Sequence, residues 1–266
     1  MSIAEQDSIS FSPEAFIPSV ESAVFTASPE ATFWLGITAS SGEIMLPQEH
    51  TASRILRANV YIDENRFLPD DARRPDGTET DDDDVRATHF SVVENSATHG
   101  KFNLVGTSRL IHKHDHANPL PVERLFPEAF PEPAAVNSVE ASRFIARYPD
   151  RFTQSAISLS LIRAKALHAH QNGLEPAYAV VEDHLTRLFD KIGLPFEQIA
   201  DKKMIPEYQT ENMAIRIQPS EIIKHVAADK LGEKILTMFF NSTVVDSAGL
   251  GHFDNTLLSP VPTRAA

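Results

Sequence analysis

The sequence predicts an α+β fold, a three-layer α/β/α sandwich in which helices cover both faces of a mixed central sheet. The first observation is the order of its elements: strand, helix, hairpin, strand, long helix, strand, helix and two further strands. Antiparallel neighbours mixed with helical crossovers are typical of that class. The second is composition, since 266 residues that are 42% hydrophobic supply one sizeable core with terminal decorations.

The N-terminal part predicts an extension, one strand and one helix. Residues 1–30 are rich in Ser, Pro, Glu and Ala with weak periodicity, so we expect a draped or poorly ordered extension. The apolar run ATFWLGITA (31–39) predicts the first strand. Residues 49–65 predict a helix, because apolar side chains recur near one side, at Ile55, Leu56, Val60 and Tyr61. A Pro- and Asp-rich loop follows over 66–86.

A hairpin and a third strand are predicted next. The strand-like runs ATHFSVVE (87–94) and FNLVGTSRLIHKH (102–114) flank a turn at HGK. Residues 117–136 are punctuated by prolines and predict a loop with one helical turn. The segment NSVEASRFIARY (137–148) predicts a strand. Its alternation places two sets of side chains on opposite faces: Val139, Ala141 and Arg143 on one, Glu140 and Ser142 on the other.

The C-terminal half alternates helices and strands. The clearest helix is TQSAISLSLIRAKALHAHQNG (153–173), with Thr153 as N-cap and a glycine at its end. A buried strand is predicted over 175–181, followed by a helix over 182–195 that is ended by Gly193 and Pro195. Two strands around a turn are predicted over 196–219, a helical stretch over 220–243 and a loose tail over 244–266.

Charge and composition exclude several classes of function. The formal net charge is −13, which argues against a general nucleic-acid binder. The chain has no cysteine, so disulfides, thiolate catalysis and Cys-ligated zinc are excluded. No segment is long and apolar enough to span a bilayer, and the N-terminus lacks the pattern of a signal peptide. We therefore expect a cytoplasmic protein.

Charged and aromatic motifs are spread over most of the chain. Arg57, Tyr61 and Phe67 lie in and after the first helix, and Glu79, Asp81 and Asp84 form an E-x-D-x-x-D loop. Four further segments belong to the same set: VGTSRLI (105–111) with Arg109, PLPVERLFP (119–127), VEASRF (139–144) with Glu140 and Arg143, and IGLPFEQIADKK (192–203).

Together these motifs resemble the acyl-homoserine-lactone (autoinducer) synthases and the related bacterial N-acyl amino acid synthases of the GNAT superfamily. The resemblance covers roughly residues 50–220, the size of one domain. It implies a GNAT-like sheet that is splayed at its central strands. The implied organisation is an N-terminal extension with a possible first strand, an acyltransferase domain, and a C-terminal helical extension with a tail, over 1–45, 46–220 and 221–266.

The resemblance implies transfer of an acyl group from a thioester to an amine, giving an amide. Glu140 and Arg143 would be catalytic. The acceptor would contact Arg57, Tyr61, Phe67, Glu79, Asp81, Asp84 and Arg109, and the donor would contact Phe144, Ile145, Arg147 and Arg151. No tightly bound cofactor and no metal is implied. The donor would be an acyl-phosphopantetheine thioester on acyl carrier protein or CoA, so acyl carrier protein is the expected partner.

The aromatic pair departs from the family. A family tryptophan is Phe67 here, and a family phenylalanine is Tyr61. In autoinducer synthases that pair helps to build the S-adenosylmethionine site, so the acceptor stays open between an amino-acid-like amine and S-adenosylmethionine. A non-catalytic member that binds an acyl ligand or a partner is a third hypothesis.

Glu140 is the leading candidate for the general base. The attacking amine must be neutral, and a positioned carboxylate can take its proton directly or through water. In such folds the strand that carries Glu140 splays from its neighbour, so its backbone N–H groups can face the developing oxyanion. The competing interpretation is that Glu140 pairs with an arginine at a strand end.

The acidic loop has two interpretations. Asp81 and Asp84 would grip a cationic acceptor, or they would orient Arg57, Arg109 and Arg143 by bidentate pairing. Buried arginines need such partners, so a carboxylate–arginine network is expected in either case. The neighbouring Asp82 and Asp83 match nothing in the family motif, and we expect solvated spacers there.

The donor side lacks the glycine-rich pyrophosphate loop of common acetyl-CoA transferases. Its place reads ARYPDRFTQSA, where only a helix N-terminus offers N–H groups to a phosphate. This favours a carrier-protein donor, which has one phosphate. A docking patch would consist of Arg147, Arg151, Arg163, Lys165, Lys202 and Lys203. An apolar acyl tunnel would come from core-like residues: Leu161, Leu167, Val180, Val181, Leu185, Leu188 and Phe189.

The sequence HKHDH is a second polar cluster. Alternating His112, His114 and His116 would meet a metal if the strand continued. The cluster lies at a strand end beside Pro119, where exposed loop histidines are common. We therefore favour no metal.

Overall fold

The computed structural model describes residues 10–11, 21–28, 31–39, 47–96 and 101–228. Within these ranges there are nine strands: β1 (Ser10–Phe11), β2 (Glu21–Ser28), β3 (Ala31–Ala39), β4 (Ala87–Ser96), β5 (Lys101–His112), β6 (Val139–Ala146), β7 (Ala177–Val181), β8 (Glu197–Ile205) and β9 (Thr210–Ile217). The five α-helices of the same ranges are α1 (Pro47–Ala58), α2 (Pro121–Leu125), α3 (Arg151–Gln171), α4 (Asp183–Ile192) and α5 (Pro219–Ala228).

The strands form one mixed sheet in the order β2-β3-β4-β5-β6-β7-β9-β8, and β1 pairs with β5 beside that row. Neighbours in the described sheet are antiparallel except β6 and β7, which are parallel and joined through α3. A parallel pair requires such a crossover. The predicted three-layer α+β fold with a mixed sheet is therefore confirmed.

The sheet opens at its one parallel pair. β6 and β7 are paired only where Val139–Ala141 face Ala177–Ala179, although β6 continues to Ala146 and β7 to Val181. Beyond Ala141 the two strands diverge. The predicted splay at the central strands is therefore present, and it exposes one edge of β6 inside the molecule.

A bulge in β6 lies at the start of this opening. On β5 one residue separates Thr107 from Arg109, whereas on β6 two residues separate their partners Ile145 and Ser142. The extra residue lets Arg143 adopt a φ of 51°, in the left-handed region that side chains other than glycine rarely occupy. Such conformations persist where the surroundings hold them, and they cluster at functional sites.

Helices cover both faces of the sheet. On one face α3 packs Ile157 and Leu161 against Phe90 and Leu110. Gly106 permits this contact, because a Cβ built there would lie 2.7 Å from Cγ2 of Ile157. On the other face α1 and the π-helical continuation at Asn59–Glu64 contribute an apolar cluster of Ala52, Leu56, Val60, Val93, Leu104 and Ile145.

Three local predictions were wrong. Residues 1–30 are not wholly a draped extension, because Glu21–Ser28 pair with β3. The cap of α3 is Asp150 and not Thr153, since the Asp150 carboxylate accepts the Thr153 N–H at 2.8 Å. Arg143 does not share a face with Val139, because the bulge turns its side chain to the face of the acidic loop.

The remaining predicted elements are confirmed within one to three residues at most boundaries. The strand predicted first at 31–39 is second in the longer row, after β2. Gly193 ends α4 in a left-handed conformation, as its position predicts. Most of the predicted HGK turn, the helical stretch beyond residue 228 and the tail at 244–266 lie outside the described residues.

No helix in the described ranges combines the length and apolar character needed to cross a bilayer.

Candidate active site

The acidic loop packs against α1 and is not a solvated loop. Asp81 caps a 3-10 turn at Asp82–Arg86, and its carboxylate accepts the Asp83 N–H at 3.1 Å. Asp84 returns the interaction by accepting the Asp81 N–H at 3.1 Å. The backbone N–H of Glu79 donates to the carbonyl of Arg54 at 3.1 Å. Reciprocal capping of this kind fixes the loop, so its carboxylates have defined directions.

Arg57 of α1 is the first anchor for these carboxylates. Its Nη1 and Nη2 donate to the two oxygens of Asp84 at 2.7 and 3.0 Å, and its Nε donates to Glu79. All three side chains are almost fully buried. A guanidinium held at both edges by carboxylates is a geometry that lysine cannot supply.

Arg109 of β5 and Arg143 of β6 complete the arrangement. Arg109 donates to both oxygens of Asp81 at 2.6 Å and to Asp84 at 2.6 Å. Arg143 donates to Glu79 at 2.9 Å and to Asp81 at 3.1 Å. We call these six residues the arginine–carboxylate network: Arg57, Glu79, Asp81, Asp84, Arg109 and Arg143. The predicted pairing of loop acids with three arginines is therefore present.

The network keeps its carboxylates ionised. Burial alone would raise the pKa of Asp84, but Arg57 and Arg109 outweigh it and hold that pKa far below its ordinary value. Burial also opposes ionisation of Glu79 and Asp81, yet adjacent guanidinium groups lower both pKa values. Three positive and three negative charges balance. Only Asp81 is substantially accessible, with 30% of its side chain exposed.

Asp82 and Asp83 were both predicted to be solvated spacers. Asp82 is exposed as expected, but the prediction for Asp83 was wrong. Asp83 is buried and accepts hydrogen bonds from Nε of Arg86 at 3.0 Å and from Nη2 of Arg124 at 2.8 Å. Arg86 in turn donates to the carbonyls of Asn118 and Pro119 at 2.8 Å. Asp83 thus ties the acidic loop to the segment before α2, which the family motif does not indicate.

Glu140 is the exception among the buried carboxylates of the site. It is 1% exposed, and its Oε2 accepts the Val122 N–H at 2.7 Å. No arginine or lysine in the described residues forms a salt bridge with it, so the predicted alternative of an arginine pair is wrong. Burial raises the pKa of Glu140 to about 8, and the negative charge of Asp83 adds to the effect.

A cavity of about 670 Å³ occupies the opening between β6 and β7. Its wall includes Glu140, the side of β6 from Ala141 to Ala146, and residues of α3 and α4. Tyr61 and Phe67 also line the cavity, with ring centroids 6.0 Å apart and 43° between the ring planes. The Tyr61 hydroxyl donates to the carbonyl of Phe144 at 3.1 Å. This aromatic pair joins the loop after α1 to the exposed edge of β6.

Of the network, Arg143 is among the residues that line the cavity, whereas Glu79, Asp81 and Asp84 are not. The Arg143 guanidinium carbon is 5.5 Å from the centroid of the Tyr61 ring. The guanidinium is held from behind by Glu79 and Asp81 and faces the aromatic pair in front. The network therefore positions one cation at the cavity wall.

Five of the seven predicted tunnel residues line the cavity: Val180, Val181, Leu185, Leu188 and Phe189. The other two do not, because Leu161 packs in the core between α3 and the sheet and Leu167 is absent from the wall. The apolar end of the cavity is completed by alanines and by isoleucines of α3, β9 and α5, at Ala166, Ala169, Ile162, Ile217 and Ile222.

The predicted donor residues divide into two groups. Phe144 and Ile145 line the cavity, whereas Arg147 forms an ion pair with Glu64 and Arg151 is exposed at the start of α3. The prediction of Lys165 as a surface docking residue was wrong. Its side chain is 8% exposed and lies in the cavity wall, because the face of α3 that carries it packs on β6.

The rest of the proposed docking patch is partly neutralised. Lys202 pairs with Asp183 and Glu211, and Lys203 pairs with Glu128. The carboxylate of Asp150 occupies one N–H group at the start of α3, where a donor phosphate was expected to bind. These contacts do not by themselves form a basic docking surface.

The histidine cluster forms a stack at the end of β5. His112 and His114 lie with ring centroids 5.7 Å apart and 5° between planes, and His168 of α3 is 6.4 Å from His112. Thr88 Oγ1 and His112 Nε2 share a hydrogen bond of 2.8 Å, while His116 is exposed. Within the described ranges, no three His, Cys, Asp or Glu residues are arranged to hold a metal.

Sequence reasoning missed several polar groups in the cavity wall, among them Tyr208 and Lys165, and one contact to the network. Tyr208 lies between β8 and β9 and lines the cavity. Lys165 was assigned to the surface. Ser142 accepts the Arg109 Nε–H at 2.9 Å, which helps to orient that guanidinium. The alternation of β6 places Ser142 beside Glu140, so that contact was accessible to sequence reasoning, whereas the other two depend on long-range packing.

No family model matches the sequence, and no curated protein matches it. Three of the similar solved structures match over most of their length. The AHL synthase LasI is 17% identical with a TM-score of 0.51, covering 70% of this chain and 90% of LasI. The CoA-dependent acyl-homoserine lactone synthase BjaI, with SAM and isopentyl-CoA, is 16% identical with a TM-score of 0.57, covering 80% and 89%. TofI, in a ternary complex with an inhibitor and MTA, is 18% identical with a TM-score of 0.53, covering 74% and 98%.

These similarities confirm the resemblance to the acyl-homoserine-lactone synthases at the level of the fold. At identities of 16–18% they establish the shared architecture and no individual residue role.

Proposed function

We propose that this chain is an N-acyltransferase, which moves an acyl group from an acyl-carrier-protein or CoA thioester to the amine of an amino-acid-like acceptor. The observation that carries the proposal is the cavity at the splayed strands, where Glu140 and the edge of β6 form one wall and apolar side chains of α4 form another. A thioester needs both a polar reaction centre and an apolar channel for its chain.

Glu140 has the properties required to take a proton from the acceptor. Val122 occupies Oε2, and Oε1 has no hydrogen-bond partner in the described part of the chain. The pKa of Glu140 is raised to about 8, which brings it closer to the pKa of an ammonium group than that of an ordinary glutamate. Proton transfer becomes more nearly balanced as the two pKa values approach each other, which suits a general base.

The edge of β6 supplies the second requirement, a place for the tetrahedral oxyanion. Beyond Ala141 no strand of the described residues pairs with this edge on the β7 side, so no strand partner takes up its N–H groups there. Backbone N–H groups fixed in a strand stabilise a developing negative charge without reorganising. The bulge at Arg143 and the Tyr61 contact to Phe144 hold this edge in place.

The network suggests how the acceptor is held. Asp81 does not line the cavity, but it bonds to Arg143 and is the network carboxylate with substantial exposure, so an ammonium group would meet it beside Arg143. Arg143 in the cavity wall would meet an acceptor carboxylate. An α-amino acid carries both groups, and this pairing favours such an acceptor over a simple amine.

Use of S-adenosylmethionine is the second candidate function. The solved BjaI structure contains SAM and isopentyl-CoA, and the TofI structure contains MTA. In this chain the Tyr61–Phe67 pair lines the cavity and would offer aromatic faces to a cationic sulfonium. Such a chain would be an acyl-homoserine-lactone synthase and would release methylthioadenosine.

The test is a product screen with the purified full chain. Matched acyl thioesters on acyl carrier protein and on CoA are each combined with single amino acids, simple amines and S-adenosylmethionine, and products are identified by mass spectrometry. We expect an N-acyl amino acid. Methylthioadenosine with an acyl lactone would select the second candidate. If acyl donors bound tightly but no acceptor gave a product, the proposal of an acyltransferase would be wrong. That result would favour a non-catalytic acyl-binding protein.

A further inference from the structure

Lys165 is a buried amine beside the edge of β6. It lies on the face of α3 that packs against the sheet, and its side chain is 8% exposed. Its Nζ donates to Ser108 Oγ at 2.9 Å and lies 4.7 Å from the centroid of the Phe144 ring. No carboxylate in the described residues forms a salt bridge with it. Lys165 and Phe144 both line the cavity, so the amine lies against the part of β6 that borders the opening.

Ser108 fixes the direction of the lysine contact. Its hydroxyl donates its own proton to the carbonyl of Ser142 at 3.1 Å, so towards Lys165 it can only accept. Ser142 is the first residue of β6 beyond the stretch that is paired with β7. An ammonium group has three N–H donors. Ser108 takes one and the Phe144 ring faces the group on another side, so at least one N–H is left for a group held at this edge.

The β6 edge is also where the proposed reaction breaks a bond. Its N–H groups would hold the oxyanion of the tetrahedral intermediate. The carbon that bears this oxygen also bears the thioester sulfur, so the sulfur would lie at the same edge, beside Lys165. When the carbon–sulfur bond breaks, the electron pair stays on sulfur, and the resulting thiolate needs a proton.

Glu140 and Lys165 reach this edge from opposite faces of the sheet. Val122 of α2, which donates to Glu140, packs with Ile111, whereas α3 packs with Leu110. Ile111 and Leu110 are consecutive in β5, so their side chains point to opposite faces. A carboxyl on one face and an amine on the other can serve two different atoms of one tetrahedral carbon, the attacking nitrogen and the departing sulfur.

Other proton-bearing side chains of the wall suit this step less well. The Arg143 guanidinium does not release a proton in proteins. The Tyr61 hydroxyl donates to a carbonyl, and burial raises its pKa to about 12. Burial also raises the pKa of Tyr208. The side chain of His184 is 77% exposed, so it is not shielded from water.

Burial shifts the Lys165 amine in the direction that this step needs. It lowers the pKa of Lys165 to about 7, the response expected of an ammonium without a counter-charge. A thiol has a pKa of roughly 8.5, so transfer of a proton from this ammonium to a thiolate is favourable. From an ordinary lysine, with a pKa of roughly 10.4, the same transfer would be unfavourable.

We propose that Lys165 is a further catalytic residue, the general acid that protonates the departing thiolate. The inference rests on the proposed function and adds a second proton-transfer group to it. Glu140 first takes one proton from the acceptor ammonium, and the neutral amine forms the carbon–nitrogen bond. The carbon–sulfur bond then breaks with its electron pair on sulfur, and Lys165 gives its proton to that sulfur, leaving a free thiol.

The same amine restores itself in the last step. The nitrogen of the intermediate holds one proton more than an amide, and the neutral Lys165 amine takes it as the carbonyl re-forms. Glu140 releases its proton to water. The products are an amide, a thiol and one proton, and both side chains return to their starting states.

The test compares two donors that differ in one atom. One is an acyl thioester on the carrier that supports turnover, and in the other selenium replaces the thioester sulfur. A selenol is far more acidic than a thiol, so a selenolate departs without a proton. Single-turnover rates of amide formation are measured by mass spectrometry, with uncatalysed rates subtracted. The proteins are wild type, Lys165→Met, Lys165→Gln and, as a control at an exposed lysine, Lys224→Met.

Lys165→Met should slow the reaction of the thioester by roughly 10²-fold or more, as for the loss of a general acid. It should slow the selenoester much less, and Lys224→Met should match wild type with both donors. Equal slowing of the two donors, or no slowing of the thioester, would overturn the inference and leave the acyltransferase intact. If wild type formed no amide from any donor, the proposed function would fail as well.

Lys165→Gln separates proton transfer from hydrogen bonding. Glutamine can still donate to Ser108, but its amide has no proton to give to sulfur. Its rate with the thioester should stay as low as that of Lys165→Met. Recovery to the wild-type rate would assign Lys165 a positioning role and overturn the general acid.

Folding of the variants is checked by thermal unfolding. Lys165→Met removes a buried unpaired charge, so it should be as stable as wild type or more so. If Lys165→Met did not fold, the same comparison of thioester and selenoester with Lys165→Gln would decide.

Discussion

The network and the cavity wall differ in whether their buried charged groups are paired with opposite charges. In the network every guanidinium meets carboxylates, and the pKa shifts of Asp84 and Arg109 both strengthen the charged forms. In the cavity wall no opposite charge from the described residues is bonded to Glu140 or Lys165, and burial moves their pKa values toward neutrality, to about 8 and about 7. We infer that the paired charges stabilise the fold, whereas the unpaired groups can exchange protons or bind a ligand.

The largest effect should come from removing the unpaired carboxyl. Glu140→Gln should slow amide formation by roughly 10²–10⁴-fold, the usual contribution of a general base. Its stability should equal or exceed that of wild type, because glutamine still accepts the Val122 N–H. Initial rates by mass spectrometry and unfolding in urea check both statements.

Glu123→Gln is the matched control for that experiment. Glu123 is also buried on this side of the sheet, but it accepts hydrogen bonds from Lys113 Nζ at 2.7 and 2.9 Å. Its substitution should lower stability and spare turnover in the folded enzyme. If Glu140→Gln turned over at the wild-type rate, Glu140 would not be the base.

Breaking the paired region should instead cost stability. Arg109→Met leaves Asp81 and Asp84 without one of their shared cations, and we expect the free energy of unfolding to fall by about 3–5 kcal/mol, as for other broken buried pairs. Chemical denaturation measures it. Arg187→Met, at an exposed pair on α4, should be near wild type. A loss for Arg109→Met as small as that of the control would mean that the network is not structural.

The two regions should also respond oppositely to pH. The pKa of Glu140 is raised, so its contribution to stability is present at low pH and is lost as pH rises from its ordinary value of 4.5 towards about 8. The slope should be about −1.4 kcal/mol per pH unit. The network carboxylates have lowered pKa values, so their contribution is present above the ordinary range and is lost on acidification.

Subtracting the stability curve of Glu140→Gln from that of wild type isolates the first effect, since the histidines and the network are common to both proteins. Unfolding curves at half-unit steps from pH 5 to pH 8 provide the data. If the difference in the free energy of unfolding were constant from pH 5 to pH 8, the pKa of Glu140 would not be raised.

The smallest effect separates two roles inside the network. Asp81→Asn keeps the shape of the side chain but removes its charge, and Asp81 is the exposed member. We expect KM for the amine acceptor to rise roughly tenfold, as when one charged hydrogen bond is lost, with kcat changed less. Asp82→Asn, at an exposed neighbour, is the control. Equal KM values in both variants would assign Asp81 a structural role alone.

Local patterns were sufficient for most of the fold. The membership of the network followed from the resemblance, through the E-x-D-x-x-D spacing of Glu79, Asp81 and Asp84 and the three matching arginines, and the structure contains these pairs. The Arg143 bulge escaped prediction because alternation assumes a regular strand, and one extra residue reverses the face. The edge strand at Glu21–Ser28 escaped because its pairing with β3 is a tertiary effect.

The cavity was predictable in kind and not in detail. An apolar channel followed from the resemblance, and Val180, Val181 and Leu185 were correctly placed in it. Lys165 was misplaced because lysine is usually exposed and because periodicity along α3 does not show which polar residue faces the splay. Asp83 was misplaced because its partner Arg124 is 41 residues away in the sequence.

The most direct test of the contrast between paired and unpaired charge is the titration of Glu140 itself. Infrared difference spectra of wild type minus Glu140→Gln, recorded across pH in the unliganded full chain, isolate the carboxyl band of this residue. We predict that the protonated band persists through pH 7 and disappears near pH 8. Disappearance near the ordinary glutamate value of 4.5 would contradict the account, because Glu140 would then be an ordinary charged group with no reason to exchange protons with an amine.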